Sequence, residues 1–149
     1  MAPAKYNGML KIFFTASVVI ILGCAKSIDQ PPKIRADKTG CTRCRMLISD
    51  TRFAAALKTD RYLLFDDIGC MLDYSRTHTN AREASVWVRD IGTDNWIHAE
   101  EAVFFIKDDK RTPMGYGFIA IKKEIRNREP AQASRIGSLL ELQNRFGER

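Results

Sequence analysis

The chain is poor in the residues that would make its reading easy. Two histidines in 149 residues, neither at a zinc-finger spacing, leave little nitrogen for a zinc or haem site. Four cysteines are too few for a disulfide scaffold, and no second Cys-x-x-Cys completes a four-thiolate zinc centre. The longest apolar run, Ile12 to Leu22, has 11 residues, against about 20 for a spanning helix. No repeat of long period is evident, and no aromatic-basic platform stands out, which argues against nucleic acid as a partner. Acidic residues interleave with the basic cluster Lys122–Arg128, so it reads as a solvated helical face.

What the chain does have begins at its N-terminus. Lys5 and Lys11 precede the 11-residue apolar run, which closes on Ile21-Leu22-Gly23-Cys24. This is the pattern of a cleaved export signal of the bacterial lipoprotein type, with residues 1–23 removed and Cys24 carrying lipid. Buried acyl chains contribute about 0.8 kcal/mol per CH₂, so several would hold a domain at a membrane surface. Residues 24–40, with Pro31, Pro32 and scattered charge, then read as a lipidated tether, and residues 41–149 as the working domain. Taking Lys5 and Lys11 from 24 basic residues leaves 22 against 18 acidic, a net +4 on 126 residues. That length, at 45% hydrophobic composition, buries a core without staples.

With Cys24 assigned to lipid, Cys41, Cys44 and Cys70 remain, and three thiols cannot all pair within one chain. Cys41-Thr42-Arg43-Cys44-Arg45-Met46 gathers three sulfur ligands in six residues. Thiolate and thioether together favour Cu(I), since thioether does little for zinc or hard cations. Haem attachment is excluded because Arg45 follows Cys44. A thioredoxin-like pair normally opens a helix after a strand, whereas this one follows a polar tether. A small Cys41–Cys44 disulfide stays open as the plain alternative.

Two further segments carry sulfur beside a turn. In Phe65-Asp66-Asp67-Ile68-Gly69-Cys70-Met71 either aspartate can cap a helix while Cys70 and Met71 pack in a core. Successive helical positions lie about 100° apart, which argues against both facing one metal. In Thr112-Pro113-Met114-Gly115-Tyr116-Gly117 proline and paired glycines shape a tight loop that presents Met114. Around these, Arg52–Leu57 and Tyr62–Phe65 read as a hairpin, followed by a short helix through Ile68, Met71, Leu72 and Tyr74. Ser85–Asp90, Val103–Ile106 and Gly117–Ile121 read as strands, and Ser138–Phe146 as a Ser-capped helix. The fold class expected is α+β, with small antiparallel sheets and short helices.

Cys24, Cys41–Met46, Phe65–Met71, Trp96–Ala102 and Thr112–Gly117, in that order, resemble the motif series of the NosL family, periplasmic lipoproteins that accompany nitrous oxide reductase. The resemblance spans most of residues 41–149. It departs at Arg45, where the family usually has glycine, and a side chain there changes what the backbone readily adopts. It implies two ββαβ-like units, related in shape to the core of organomercurial lyase. It further implies a non-enzymatic copper chaperone on the periplasmic face of a bacterial membrane. This would take Cu(I) on Cys44, Met46 and Met114, with Cys41 as fourth or exchange ligand, and Cys70 and Met71 as further candidates. His78 and His98 stay outside the set. The partners implied are the membrane-bound nitrous oxide reductase maturation machinery or an apo-cuproprotein client. The rival readings are a periplasmic thiol-disulfide oxidoreductase using Cys41, Cys44 and Cys70, and a passive copper or mercury scavenger.

Overall fold

A computed structural model describes residues 30–81, 84–124 and 130–148. The expected signal segment 1–23 and Cys24, expected to carry lipid, lie outside them. Among the described residues, seven strands and two α-helices make an α+β fold of two small antiparallel sheets. No helix among the described residues is long and apolar enough to cross a membrane.

The first sheet comprises β1 (Ala55–Lys58), β2 (Tyr62–Phe65), β3 (Ser85–Arg89) and β4 (Trp96–His98), in the order β2-β1-β3-β4. The β1–β2 hairpin forms as expected, but Thr51–Phe53 make a 3₁₀ turn instead of its first residues. Asp50 caps that turn through Arg52 N, so the chain closes on itself before it extends. Ala55, Leu57, Phe65, Val88 and Ile97 face the core, as the two-residue period of paired strands requires. Between β2 and β3 runs α1 (Ile68–Thr77), so the order ββαβ holds in the first half.

The second sheet comprises β5 (Ala102–Lys107), β6 (Phe118–Lys122) and β7 (Ala133–Gly137), in the order β6-β5-β7. Its strands repeat the β2-β1-β3 arrangement of the first sheet. Its helix α2 (Leu139–Gly147) follows β7, capped by Ser138 in a reciprocal box with Glu141. The basic stretch read as a helical face begins inside the sheet, because Lys122 pairs with Ala102 as the last residue of β6. Residues 125–129 lie outside the described part. β4 and β7 were not foreseen: the first is three residues long, and the second reads Ala-Ser-Arg-Ile-Gly, too polar to announce an edge strand.

The sheets share one core. Ile91 N donates to Ala120 O across a parallel bridge at Asp90, which joins the end of β3 to β6. Phe104, Phe118 and Ala120 face the common interior with Leu142 and Phe146 of α2, while Phe105, Ile119 and Ile121 pack beneath Phe53 and Ile91. The residues read as tether are held to this body from Gln30 onward. Tyr62 Oη donates to Gln30 O, Pro32 is buried, and Ile34 packs against the core.

Candidate metal centre

Two loops and one helix end meet at the cysteines. Residues 39–48 form a narrow loop closed by Ile48 N to Thr39 O (2.8 Å) and Cys41 N to Met46 O (2.8 Å). Thr42 N donates to Leu64 O (2.7 Å), fastening the loop to β2 two residues before Asp66. Within it Arg45 N bonds Cys41 O at 3.1 Å, a closure that sets Arg45 at φ 68°. The position where glycine was expected is therefore left-handed, and arginine holds it at a backbone cost of about 1–2 kcal/mol.

The Asp66-Asp67 pair divides its labour. Asp67 caps α1, accepting from Cys70 N at 2.8 Å on Oδ1. Its Oδ2 accepts from Thr112 Oγ1 (3.1 Å) and Met114 N (3.0 Å). One buried carboxylate thus ties the Thr112–Gly117 loop to the first turn of α1. Burial pushes the Asp67 carboxyl up, against the three donors that favour its charge. Gly69 completes the junction, because the Tyr116 ring lies where its Cβ would be.

Asp66 is then free for another role. It is 3% exposed, Oδ2 accepts from the Cys44 thiol at 3.4 Å, and buried Oδ1 has no partner. Buried acceptors are nearly always satisfied, so an orphan carboxylate oxygen beside thiols has room for a cation. The Cys41, Cys44 and Cys70 sulfurs and an Asp66 carboxylate oxygen all lie within 4.8 Å of one another. All three cysteines are free, so the Cys41–Cys44 disulfide is not present here.

The thiols differ in proton affinity. A hydrogen bond from the Cys70 thiol lowers Cys41 to about 6, more than burial raises it. Cys44 is pushed up to about 11, chiefly by desolvation. Cys70 is pushed up by its bond to Cys41, then by burial. One thiolate is easy to form and the next two are hard, as expected for like charges in one buried place. A soft monocation would favour the charged forms of the thiols, and the donor set fits one.

The remaining residues named from sequence fall as follows. Met46 is 49% exposed on the cysteine loop and lines a depression that also reaches Asp66. Met114 is half-buried, its backbone fixed to Asp67. Met71 is buried and borders, with Leu57, Ser75 and Leu139, a depression that includes none of the cluster. His78 stacks on Tyr74, His98 lies tilted against Trp87, and neither belongs to the cluster. Asp66 is the member that sequence reasoning did not single out. The signal was there in the doublet: one aspartate suffices to cap a helix, so the other needs a reason to be buried.

A model of the NosL family matches residues 32–142. Among solved structures, the copper chaperone NosL from Shewanella denitrificans is similar at 18% identity and a TM-score of 0.49, over 62% of this chain and 80% of that one. No curated protein matches.

Proposed function

The chain belongs to the NosL family, and from that premise we propose that it is a copper chaperone, lipid-anchored through Cys24 at the periplasmic face of a bacterial membrane. In this reading residues 1–23 are the signal, residues 24–40 lead from the lipid, and 41–149 carry the cargo site. The cargo is Cu(I), and its destination is the copper sites of nitrous oxide reductase, reached through the membrane-bound maturation machinery. The observation that carries the metal reading is the meeting of three free thiols and a buried, half-satisfied carboxylate within 4.8 Å.

The chemistry follows from charge. Three thiolates beside Asp66 would concentrate too much negative charge in a buried place, so Cu(I) is held by fewer thiolates with neutral thioethers completing the set. Two of Cys44, Cys41 and Cys70 supply the thiolates, and the third stays a thiol. Met46 and Met114 supply thioethers from the loops on either side, and Met71 is left to the core. Loading releases thiol protons, so affinity rises with pH. The protein carries and hands over its cargo without turnover.

The test is an anaerobic Cu(I) titration of the reduced soluble domain against a competing chelator. One ion per protein is expected, with Cys70→Ser, Met46→Leu and Met114→Leu each weakening it by about tenfold or more, roughly 1.4 kcal/mol. Weak binding, or tight binding indifferent to Cys70 and both methionines, would sink the site. Fatty-acid labelling that survives Cys24→Ala would sink the anchor.

One feature favours the thiol-oxidoreductase reading, the lowered pKa of the Cys41 thiol. Against it, Cys41 is 1% exposed, and an exchanging thiol must be reached by its partner. Disulfide exchange that survives Met46→Leu and ends with Cys41→Ser would restore it.

A further inference from the structure

A single Cys-x-x-Cys and two poorly spaced histidines argue against zinc in the sequence, but folding supplies two ligands that the spacing lacks. Cys41 and Cys44 come from one loop, Asp66 from the turn after β2, and Cys70 from the first turn of α1. Their three sulfurs and one carboxylate oxygen lie within 4.8 Å of one another, and Cys44 Sγ stands 3.4 Å from Asp66 Oδ2. A tetrahedral ion bonded at about 2.3 Å to sulfur and about 2.1 Å to oxygen sets its ligands about 3.6–3.8 Å apart. The four atoms therefore close on such an ion by moving about 1 Å or less.

The donors are of two kinds. Met46 and Met114 offer neutral thioethers that suit a soft monocation, whereas the Asp66 carboxylate is a harder donor that a dication uses better. Asp66 Oδ1 is buried without a hydrogen-bond partner, and α1 does not need it, because Asp67 is the cap. Cys41, Cys70 and Asp66 are at most 3% exposed. An ion held there would have four protein ligands and no open position, which is how a metal is kept and not how it is used in catalysis.

Charge agrees with this division. Two thiolates with Asp66 and a monocation carry the same net charge as three thiolates with Asp66 and a dication. The added charge on the metal thus sustains the third thiolate. Backbone N–H groups of Cys44, Asp66 and Arg43 favour charge on the Cys41 sulfur, and that of Met46 favours it on Cys44.

We propose that Cys41, Cys44, Cys70 and Asp66 form a closed four-ligand site for a thiophilic dication such as Zn(II) or Cd(II), in which neither methionine takes part. The site shares its cysteines with the copper load, so the two ions exclude one another. It rests on the cluster alone and stands whether or not the protein carries copper.

The probes are Zn(II), titrated against a chromogenic chelator, and Cd(II), whose bonds to thiolate absorb in the ultraviolet. Both are added to the reduced, metal-free full chain in detergent. One ion per protein is expected, with a Cd(II) band of three-thiolate intensity that falls by about a third in Cys70→Ser. Asp66→Asn keeps the shape and gives up the charged ligand. It should weaken Zn(II) by about tenfold or more, since even partners outside the ligand shell are worth about 10–100-fold. Met46→Leu with Met114→Leu should weaken Cu(I) and leave Zn(II) affinity unchanged. A two-thiolate band, or Zn(II) binding indifferent to Asp66→Asn, would overturn the proposal.

Urea midpoints with and without Zn(II) separate a lost ligand from a damaged fold. Zn(II) should raise the wild-type midpoint, and Asp66→Asn should lose that rise even where its metal-free midpoint is unchanged. A rise that survives in Asp66→Asn would remove the carboxylate from the site. A three-thiolate band in a protein that fails to take Cu(I) would support this site and sink the copper one. Cu(I) binding without that band would do the reverse.

Discussion

Replacing Gly69 by alanine isolates the contact that holds two of the three sulfur-bearing segments together. In the first turn of α1, alanine is favoured over glycine by up to about 1 kcal/mol, so helix propensity alone predicts a gain. The tertiary structure predicts a loss. A Cβ at Gly69 would fall within the Tyr116 ring, closer than real Cβ atoms come to a neighbour. Tyr116 has little room to yield, since its ring packs against Phe118 and Phe146 at centroid separations of 6.4 and 5.5 Å. Forcing a methyl into such a contact costs about 1–3 kcal/mol. If the loop moves away instead, the bonds from Thr112 and Met114 to Asp67 weaken at about 1 kcal/mol each. Less the helix gain, the net expectation is a loss of roughly 1–2 kcal/mol in urea unfolding of the metal-free domain. In a Tyr116→Ala background the same substitution should change sign and stabilise by up to about 1 kcal/mol. A coupling of about 2 kcal/mol between the two positions follows. Stabilisation by Gly69→Ala in the wild-type background, or an equal effect in both backgrounds, would show that Tyr116 does not sit over Gly69.

Asp67→Ala should cost about 3 kcal/mol, from one helix cap and two cross-loop bonds, and should loosen Cu(I) binding in the same chelator competition. Arg45→Gly should stabilise the domain by about 1 kcal/mol by relieving a left-handed backbone, read from the urea midpoint; a loss would mean the arginine side chain holds the loop. The metal-free domain should also show a stability optimum in pH. Cys41 is lowered to about 6 in the fold, so its ionisation stabilises fully above the unfolded value near 8.5, and that contribution fades as pH falls through 6. Cys44 at about 11 and the raised Cys70 act oppositely, because above about pH 8.5 they ionise only in the unfolded chain. Urea midpoints should therefore rise between about pH 6 and 8.5, by at most about 1.4 kcal/mol per unit, then fall. Cys41→Ser should flatten the rise, and a rise that persists in that variant would assign it elsewhere.

Local chemistry settled much of this protein before any coordinates. Ser138 with Glu141 three residues on announces α2, the acidic doublet before Ile68 announces α1, and short apolar runs after Ser85 and after Gly117 announce β3 and β6. The sulfur-rich segments were equally plain, because thiols and thioethers are rare enough for their clustering to carry meaning. Tertiary structure decided which of them meet. Cys44 and Asp66 are 22 positions apart in the chain, and no periodicity links a loop before β1 to the end of β2. What joins them is the Thr42 to Leu64 bond and the cap that turns Cys70 inward. The same limit hid β7, which has little apolar signal of its own and is a strand because β5 offers an open edge. Residue types fix which chemistry is possible within a few positions, whereas long-range backbone pairing fixes which distant side chains share a buried space.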